Sequence, residues 1–207
     1  MRRSLEVLEQ VAGCRACDPR MVDARNGIVL AMPGKRYERG GFGVWADYPS
    51  EADDASGRPF TATVTRGRPN GGEMFKRILA AAGIDREDVL VGTRVRCRPP
   101  RSRMGDYPEA LTNCEPWNVA EFEAYAPAVV VVMGRYAMEP VYGANPKVGE
   151  LQGTWRATGD GFAWGSRLWL ATYTASAVAQ NPDLLESVAD DFRRAFARWQ
   201  EITKEAP

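Results

Sequence analysis

The chain has 207 residues, 44% apolar and 26% charged, which is enough apolar mass for a globular core. Its 27 basic and 27 acidic side chains cancel, so attraction to a polyanion must come from a local patch and not from the overall field. Histidine is absent, which excludes Ser-His-Asp and Cys-His catalysis, H-E-x-x-H metal sites and every imidazole acid or base.

Residues 3–12 read as a short amphipathic helix ending at Gly13, with no apolar region of the kind a secretion signal needs. No window approaches the roughly 18 uninterrupted apolar residues of a membrane helix, so a cytoplasmic, monomeric protein is expected. The helix leads to Cys14-x-x-Cys17, and two single cysteines follow at Cys97 and Cys114. Without a secretory context, such spacing favours a metal site or a redox dithiol over a disulfide framework. With no imidazole available, four thiolates suit tetrahedral zinc or an iron–sulfur cluster held by cysteine alone; unligated core cysteine is the bland alternative.

The run 27–32, closed by Pro33-Gly34, has the pattern of a buried strand meeting a turn. From Lys35 to Pro59, glycines, prolines and scattered aromatics predict a long loop, and 61–72 a second irregular stretch. A helix over 73–82 stops at Gly83. Val89-Leu90-Val91 and Val95 form a strand running into Cys97-Arg98-Pro99-Pro100, where the prolines end it. A helix near 115–125 follows, and then the unbroken apolar run 128–133, which implies a strand buried on both faces. A helix over 135–142, a strand over 168–173 and a terminal helix opened by Asn181-Pro182 complete the pattern. The alternation predicts one α/β domain over 1–207, three-layer α/β/α around a short central parallel sheet. Its ligand site belongs at the carboxyl ends of the strands.

Five arginines (Arg94, Arg96, Arg98, Arg101, Arg103) fall in a ten-residue stretch without an acid, a pattern suited to phosphate contacts; Arg66 and Arg68 are candidates to extend it. Asp53 and Asp54 are candidate carboxylates for orienting water or stabilising positive charge on a sugar, against the plain reading of a solvated acidic loop.

Taken together, several motifs carry a resemblance: Cys14-x-x-Cys17, Pro33-Gly34, the segment Asp53-Asp54-Ala55-Ser56-Gly57-Arg58-Pro59-Phe60, Arg96-Cys97-Arg98-Pro99-Pro100 with Cys114, Met133-Gly134, Thr172-Tyr173 and Asn181-Pro182. Their order resembles the iron–sulfur, family 4 branch of the uracil-DNA glycosylase superfamily, over nearly the whole chain. That resemblance implies a uracil-DNA glycosylase-like domain and a monofunctional enzyme hydrolysing an N-glycosyl bond of a flipped base. It implies a [4Fe–4S] cluster on Cys14, Cys17, Cys97 and Cys114, with zinc as the alternative. It also implies DNA as partner, gripped by Arg96, Arg98, Arg101, Arg103 and Ser176. Phe60 matches the family's stacking position, and Thr93, Tyr173 and Thr174 fall at base-binding positions.

The departures are specific. The family's Glu before the Pro-Gly turn corresponds to Ala31, with the acidic pair displaced by an insertion over approximately 35–52. The base-reading Asn corresponds to Thr93, whose hydroxyl cannot pair with donor and acceptor on one base edge as an amide does. The family's His after Thr-Tyr is Thr174 here. These changes point away from uracil and toward a bulkier modified pyrimidine, such as the glucosylated hydroxymethylcytosine of some phage DNA, in an anti-phage defence. The rivals are an ordinary uracil-DNA glycosylase of base-excision repair, a catalytically silent iron–sulfur DNA-binding module, and a structural zinc protein.

Overall fold

The computed structural model describes residues 11–205; the expected helix over 3–12 falls mostly outside them, and its last residues form a 3-10 turn, Val11–Gly13. Among these described residues eight strands are formed: β1 (Met32–Pro33), β2 (Phe42–Ala46), β3 (Val64–Thr65), β4 (Arg68–Pro69), β5 (Val89–Thr93), β6 (Val129–Met133), β7 (Trp155–Thr158) and β8 (Arg167–Thr172). The α-helices are α1 (Pro19–Ala24), α2 (Glu51–Ser56), α3 (Gly71–Ala82), α4 (Glu109–Asn113), α5 (Glu115–Tyr125), α6 (Arg135–Tyr142), α7 (Val148–Leu151), α8 (Ala175–Gln180) and α9 (Leu184–Glu205).

Six strands make one sheet in the order β1-β5-β2-β6-β8-β7, and β3-β4 is a separate hairpin. The four middle strands are parallel, with an antiparallel strand at each edge. Period-two alternation divides the apolar residues between two faces. Phe42, Val44, Val129, Val131, Met133 and Leu170 pack under α3, α8 and α9, whereas Trp45, Val130, Val132, Trp169 and Ala171 pack under α5 and α6. The expected three-layer α/β/α architecture is present, with a mixed sheet where an all-parallel one was expected. No helix among the described residues is long and apolar enough to cross a membrane.

The largest departure from expectation lies in 35–59. This stretch is no long loop: it supplies β2, which sits between β5 and β6, and then α2. Glycine on both sides of Phe42 and a length of five residues hide the strand, yet Phe42, Val44 and Trp45 are fully buried. Helix α2 starts on a capping box in which Ser50 and Asp53 exchange side-chain and backbone hydrogen bonds. The run 27–32 contributes only the two-residue edge strand β1, antiparallel to β5, with Pro33 opposite Leu90. The terminal helix begins at Leu184, two residues beyond Pro182.

A buried polar network ties the segment after β5 to α5. Arg96 is 1% exposed and paired with Glu121, whose other oxygen accepts from the Ala31 N–H at 2.8 Å. Asn118 Oδ1 accepts from Arg96 Nη2 and Trp45 Nε1, both at 2.9 Å. Its Nδ2 donates to the carbonyls of Arg94 and Cys114 at 2.9 and 2.8 Å. Every one of these groups is removed from water, so losing a partner would leave a polar group unsatisfied. The network holds Cys97 and Cys114 at a fixed position against the sheet.

Candidate active site

The carboxyl ends of β2, β5, β6 and β8 open into a cavity of about 900 Å³. Ala46 and Asp47 reach it from β2, Thr93 from β5, and Thr174 and Ser176 from beyond β8, with α2, Phe60 and the hairpin on the far side. Where the strand ends meet, Gly134 follows β6 with φ of 98°, which favours glycine. A Cβ there would lie 2.4 Å from Asp47 Oδ2 and 2.5 Å from Thr174 Cγ2. A bare Cα is therefore what lets Asp47 and Thr174 approach each other.

Asp47 lines the cavity and went unread in the sequence. Its Oδ1 accepts from the Ala137 N–H at 2.9 Å, at the N-terminus of α6. Burial pushes its carboxyl up to about 7, against the lowering effect of backbone N–H groups of Ala137 and Tyr136 and of Arg135. It lies two residues before Pro49, just beyond the end of central strand β2, and is closely followed by Asp53-Asp54. Ala31 lies behind the sheet against Glu121. Because β1 is antiparallel, Pro33-Gly34 sits at the amino end of the parallel strands, away from the cavity.

Asp53 and Asp54, expected as catalytic carboxylates, are each engaged by hydrogen bonds from the surrounding chain. Asp53 reaches the cavity wall, but its oxygens take the backbone N–H groups of Ser50 (2.8 Å) and Thr61 (2.6 Å), fixing the cap of α2 and the turn before Thr61. Burial raises its pKa and those two N–H groups oppose the rise. Asp54 does not line the cavity; it accepts from the Asn26 side chain at 2.6 Å and from the Asn26 backbone at 3.1 Å.

Phe60 lines the cavity, backed by Phe75 in a stacked pair with centroids 4.0 Å apart. The backing ring makes it a rigid platform. Thr93 is 2% exposed and donates its hydroxyl proton to the Val95 carbonyl at 2.9 Å, leaving lone pairs toward the cavity. Thr174 caps α8, accepting from Ala177 N–H at 3.1 Å, which leaves its own proton to give. Tyr48 also lines the cavity and donates to the Ser102 carbonyl at 3.0 Å. Tyr173 does not line it: its ring packs on the core, with the hydroxyl beside Gly149.

The arginine stretch divides. Arg94 and Arg96 are buried and paired with Glu115 and Glu121, so neither can meet a phosphate, and the DNA-binding role expected of Arg96 is withdrawn. Arg98 lines the cavity and pairs with exposed Glu51 at 3.2 Å; Arg101 and Arg103 are exposed on either side of cavity-lining Ser102. Ser176 is exposed at the cavity wall.

The four cysteines line a second, much smaller cavity together with Arg25, Arg96, Asn113 and Trp117. Arg25 Nη1 donates to Cys97 Sγ at 3.2 Å, and Asn113 Nδ2 to Cys17 Sγ at 3.7 Å. Burial pushes Cys97 up and Cys114 to about 11, and the neighbouring thiols push in the same direction. Among the described residues no three cysteine or carboxylate side chains converge on a point as a single-ion site requires. Three buried donors facing this cavity have no partner: Arg96 Nε and Nη1 and Trp117 Nε1. Four thiols, two guanidinium groups and unpaired N–H donors around one cavity fit an anionic metal–sulfur group.

A parallel sheet whose carboxyl edge carries a half-buried acid, an aromatic platform and hydroxyls defines a protein acting on a ligand held at strand ends. The chain belongs to the uracil DNA glycosylase superfamily, whose family model matches residues 44–200. It is similar to the type-4 uracil-DNA glycosylase of Archaeoglobus fulgidus, 27% identical over 193 residues that cover 91% of this chain and 89% of the relative. The type-4 uracil-DNA glycosylase of Sulfurisphaera tokodaii is also 27% identical, over 92% of this chain and 83% of its own length. That of Thermotoga maritima is 33% identical over 64% of this chain and 62% of its own.

Proposed function

We propose that this protein is a monofunctional DNA glycosylase that hydrolyses the N-glycosyl bond of a flipped, modified pyrimidine and leaves an abasic site. The observation that carries the reading is Asp47, a carboxylate of raised pKa at the strand-end cavity that also holds the Phe60 platform. With the base stacked on Phe60, ionised Asp47 orients water toward the sugar carbon and stabilises the positive charge that develops there. Water supplies hydroxide to that carbon, the water proton passes to Asp47, and the base departs with the bonding electron pair. The free hydroxyl proton of Thr174 donates to an oxygen of the departing base. None of Lys35, Lys76, Lys147 and Lys204 lines the cavity, so no Schiff base is invoked.

Two observations favour a modified, cytosine-derived base. A cavity of about 900 Å³ is near the top of the range of roughly 300–1,000 Å³ that holds drug-sized ligands, far beyond one pyrimidine ring. Thr93, its proton already given to Val95, offers the base edge an acceptor, which suits an exocyclic amino group. Glucosylated hydroxymethylcytosine of phage DNA fits both, and an anti-phage role follows from that substrate. The names of the relatives favour uracil as the second reading. Arg98, Arg101, Arg103 and Ser176 hold the DNA strand beside the cavity.

The cysteine cavity is assigned to a [4Fe–4S] cluster in preference to zinc, because thiols ringing a cavity give each iron its own ligand. When bound, the cluster supplies a rigid cross-link among distant segments. Cys14, Cys17, Cys97 and Cys114 would hold it, the Arg25 and Arg96 guanidinium groups would offset its negative charge, and the unpaired Trp117 N–H would be a further donor.

Anaerobically purified protein is expected to be brown, with broad visible absorbance that Cys97→Ser removes; colourless protein containing zinc contradicts the cluster. Incubation with DNAs bearing different pyrimidine modifications, followed by mass spectrometry of released bases, is expected to find the modified cytosine. Release of uracil alone selects the second reading, and release of nothing from any DNA overturns the glycosylase. Because Asp47 acts ionised and its pKa is raised to about 7, the single-turnover rate should be flat above that pH. Below it the rate should fall about tenfold per pH unit; a rate that holds steady down to pH 5 argues against Asp47.

A further inference from the structure

The cavity has one wall that the chemistry assigned above leaves unused. Thr63 and Thr65 line it from the hairpin β3–β4, two residues apart and therefore on one side of an extended chain. Asn70 lines it at the hairpin's root, and Gln180 from the last position of α8. The hairpin is held in place. Asn70 Oδ1 accepts from the N–H groups of Thr63 and Glu73 at 3.0 and 2.8 Å, and its Nδ2 donates one proton to the Thr61 carbonyl at 2.8 Å. The two-residue turn Arg66-Gly67, with φ of 49° and 75°, closes it tightly. Phe60 stands directly before this segment, and the Thr61 N–H is fixed on Asp53 at 2.6 Å. The base platform and the wall thus share one cavity and one anchored stretch of chain.

The chemistry of the wall is uniform. None of the four residues is ionisable. The side chains of Thr63, Thr65 and Gln180 have no hydrogen-bond partner among the described residues, and Asn70 Nδ2 keeps a second proton to give. The hairpin and α8 bring no cation to the cavity: Arg66 and Arg68 do not line it, and the α2 residues Glu51 and Asp53, which do, are acids. A phosphate therefore finds no counter-charge on this wall. An alkyl or aromatic substituent would cover hydroxyls and amides without satisfying them. A neutral group rich in hydroxyls, each able to give and to accept, matches side chains that do the same. A hexose is such a group, and a cavity of about 900 Å³ holds one beside a pyrimidine.

We infer that Thr63, Thr65, Asn70 and Gln180 form a hexose subsite, which hydrogen-bonds the hydroxyls of a sugar joined to the base. The assignment rests on the glycosylase reading and deepens it, since the sugar is then recognised by particular side chains and not only given room. Three otherwise identical duplexes test it, carrying at one position 5-hydroxymethylcytosine, its glucosylated form or uracil, with single-turnover release of the base measured on each. Wild-type protein should release the glucosylated base at least about tenfold faster than the bare one. Thr65→Val and Gln180→Ala should each lower that preference by roughly threefold to tenfold and leave release of bare 5-hydroxymethylcytosine unchanged. Thr65→Ser, which keeps a hydroxyl, should retain the preference. Equal release of the two cytosine derivatives by wild-type protein, or release of uracil alone, overturns the subsite and leaves the glycosylase standing. Losses in Thr65→Val and Gln180→Ala that are the same on every duplex released also overturn it, and assign the wall to the DNA backbone. Wild-type protein that releases no base from any of the three overturns both.

Discussion

The crowding of Asp47, Gly134 and Thr174 at the ends of three parallel strands is the constraint on which the site depends. Register sets it: Ala46 lies opposite Met133 and Met133 opposite Thr172, so the residues just beyond these pairs arrive at one level. Glycine at 134 then admits the carboxylate against the backbone, and the N-terminus of α6 holds one of its oxygens. Two opposing effects act on that carboxyl. Removal from water favours the protonated form, whereas two backbone N–H groups and Arg135 favour the anion. The result is an acid whose charge changes near neutrality, a useful property where positive charge must be met transiently.

A second constraint fixes the opposite side of the cavity. The Arg96–Glu121 pair and Asn118 lock the segment after β5 against α5 and place Cys97 and Cys114. From there the chain emerges at Arg98, Ser102 and the exposed Arg101 and Arg103. A residue type alone does not disclose which of these tasks it has: five arginines in ten residues serve two different ends. Arg94 and Arg96 are buried in ion pairs with Glu115 and Glu121, whereas Arg98 pairs with exposed Glu51 at the cavity and Arg101 and Arg103 are exposed.

Much of the architecture was legible in the sequence because apolar run length and helical spacing are local signals. The strands at 89–93, 129–133 and 167–172 and the helices at 115–125 and 135–142 emerge within a residue or two of expectation. β2 was not legible, since Phe42-Gly43-Val44-Trp45-Ala46 is short and flanked by turn formers, and only its neighbours on both sides give it meaning. With β2 unread, Asp47 was passed over and Asp53 and Asp54 were the carboxylates left to consider. Their true partners, Ser50, Thr61 and Asn26, are backbone and amide groups whose proximity no spacing rule reveals. The edge strand β7 and the hairpin were missed for the same reason, being short and partly exposed.

The claim that organises this account is that Asp47 is the carboxylate facing the reacting sugar, while Asp53 and Asp54 hold the fold. The most direct measurement is single-turnover excision by Asp47→Asn, Asp53→Asn and Asp54→Asn, each normalised to folded protein by chemical denaturation. The account predicts that Asp47→Asn folds normally and loses at least about a hundredfold in rate. It predicts that the other two lose stability and keep most of their activity per folded molecule. An active Asp47→Asn beside a stable, inactive Asp53→Asn or Asp54→Asn would contradict it.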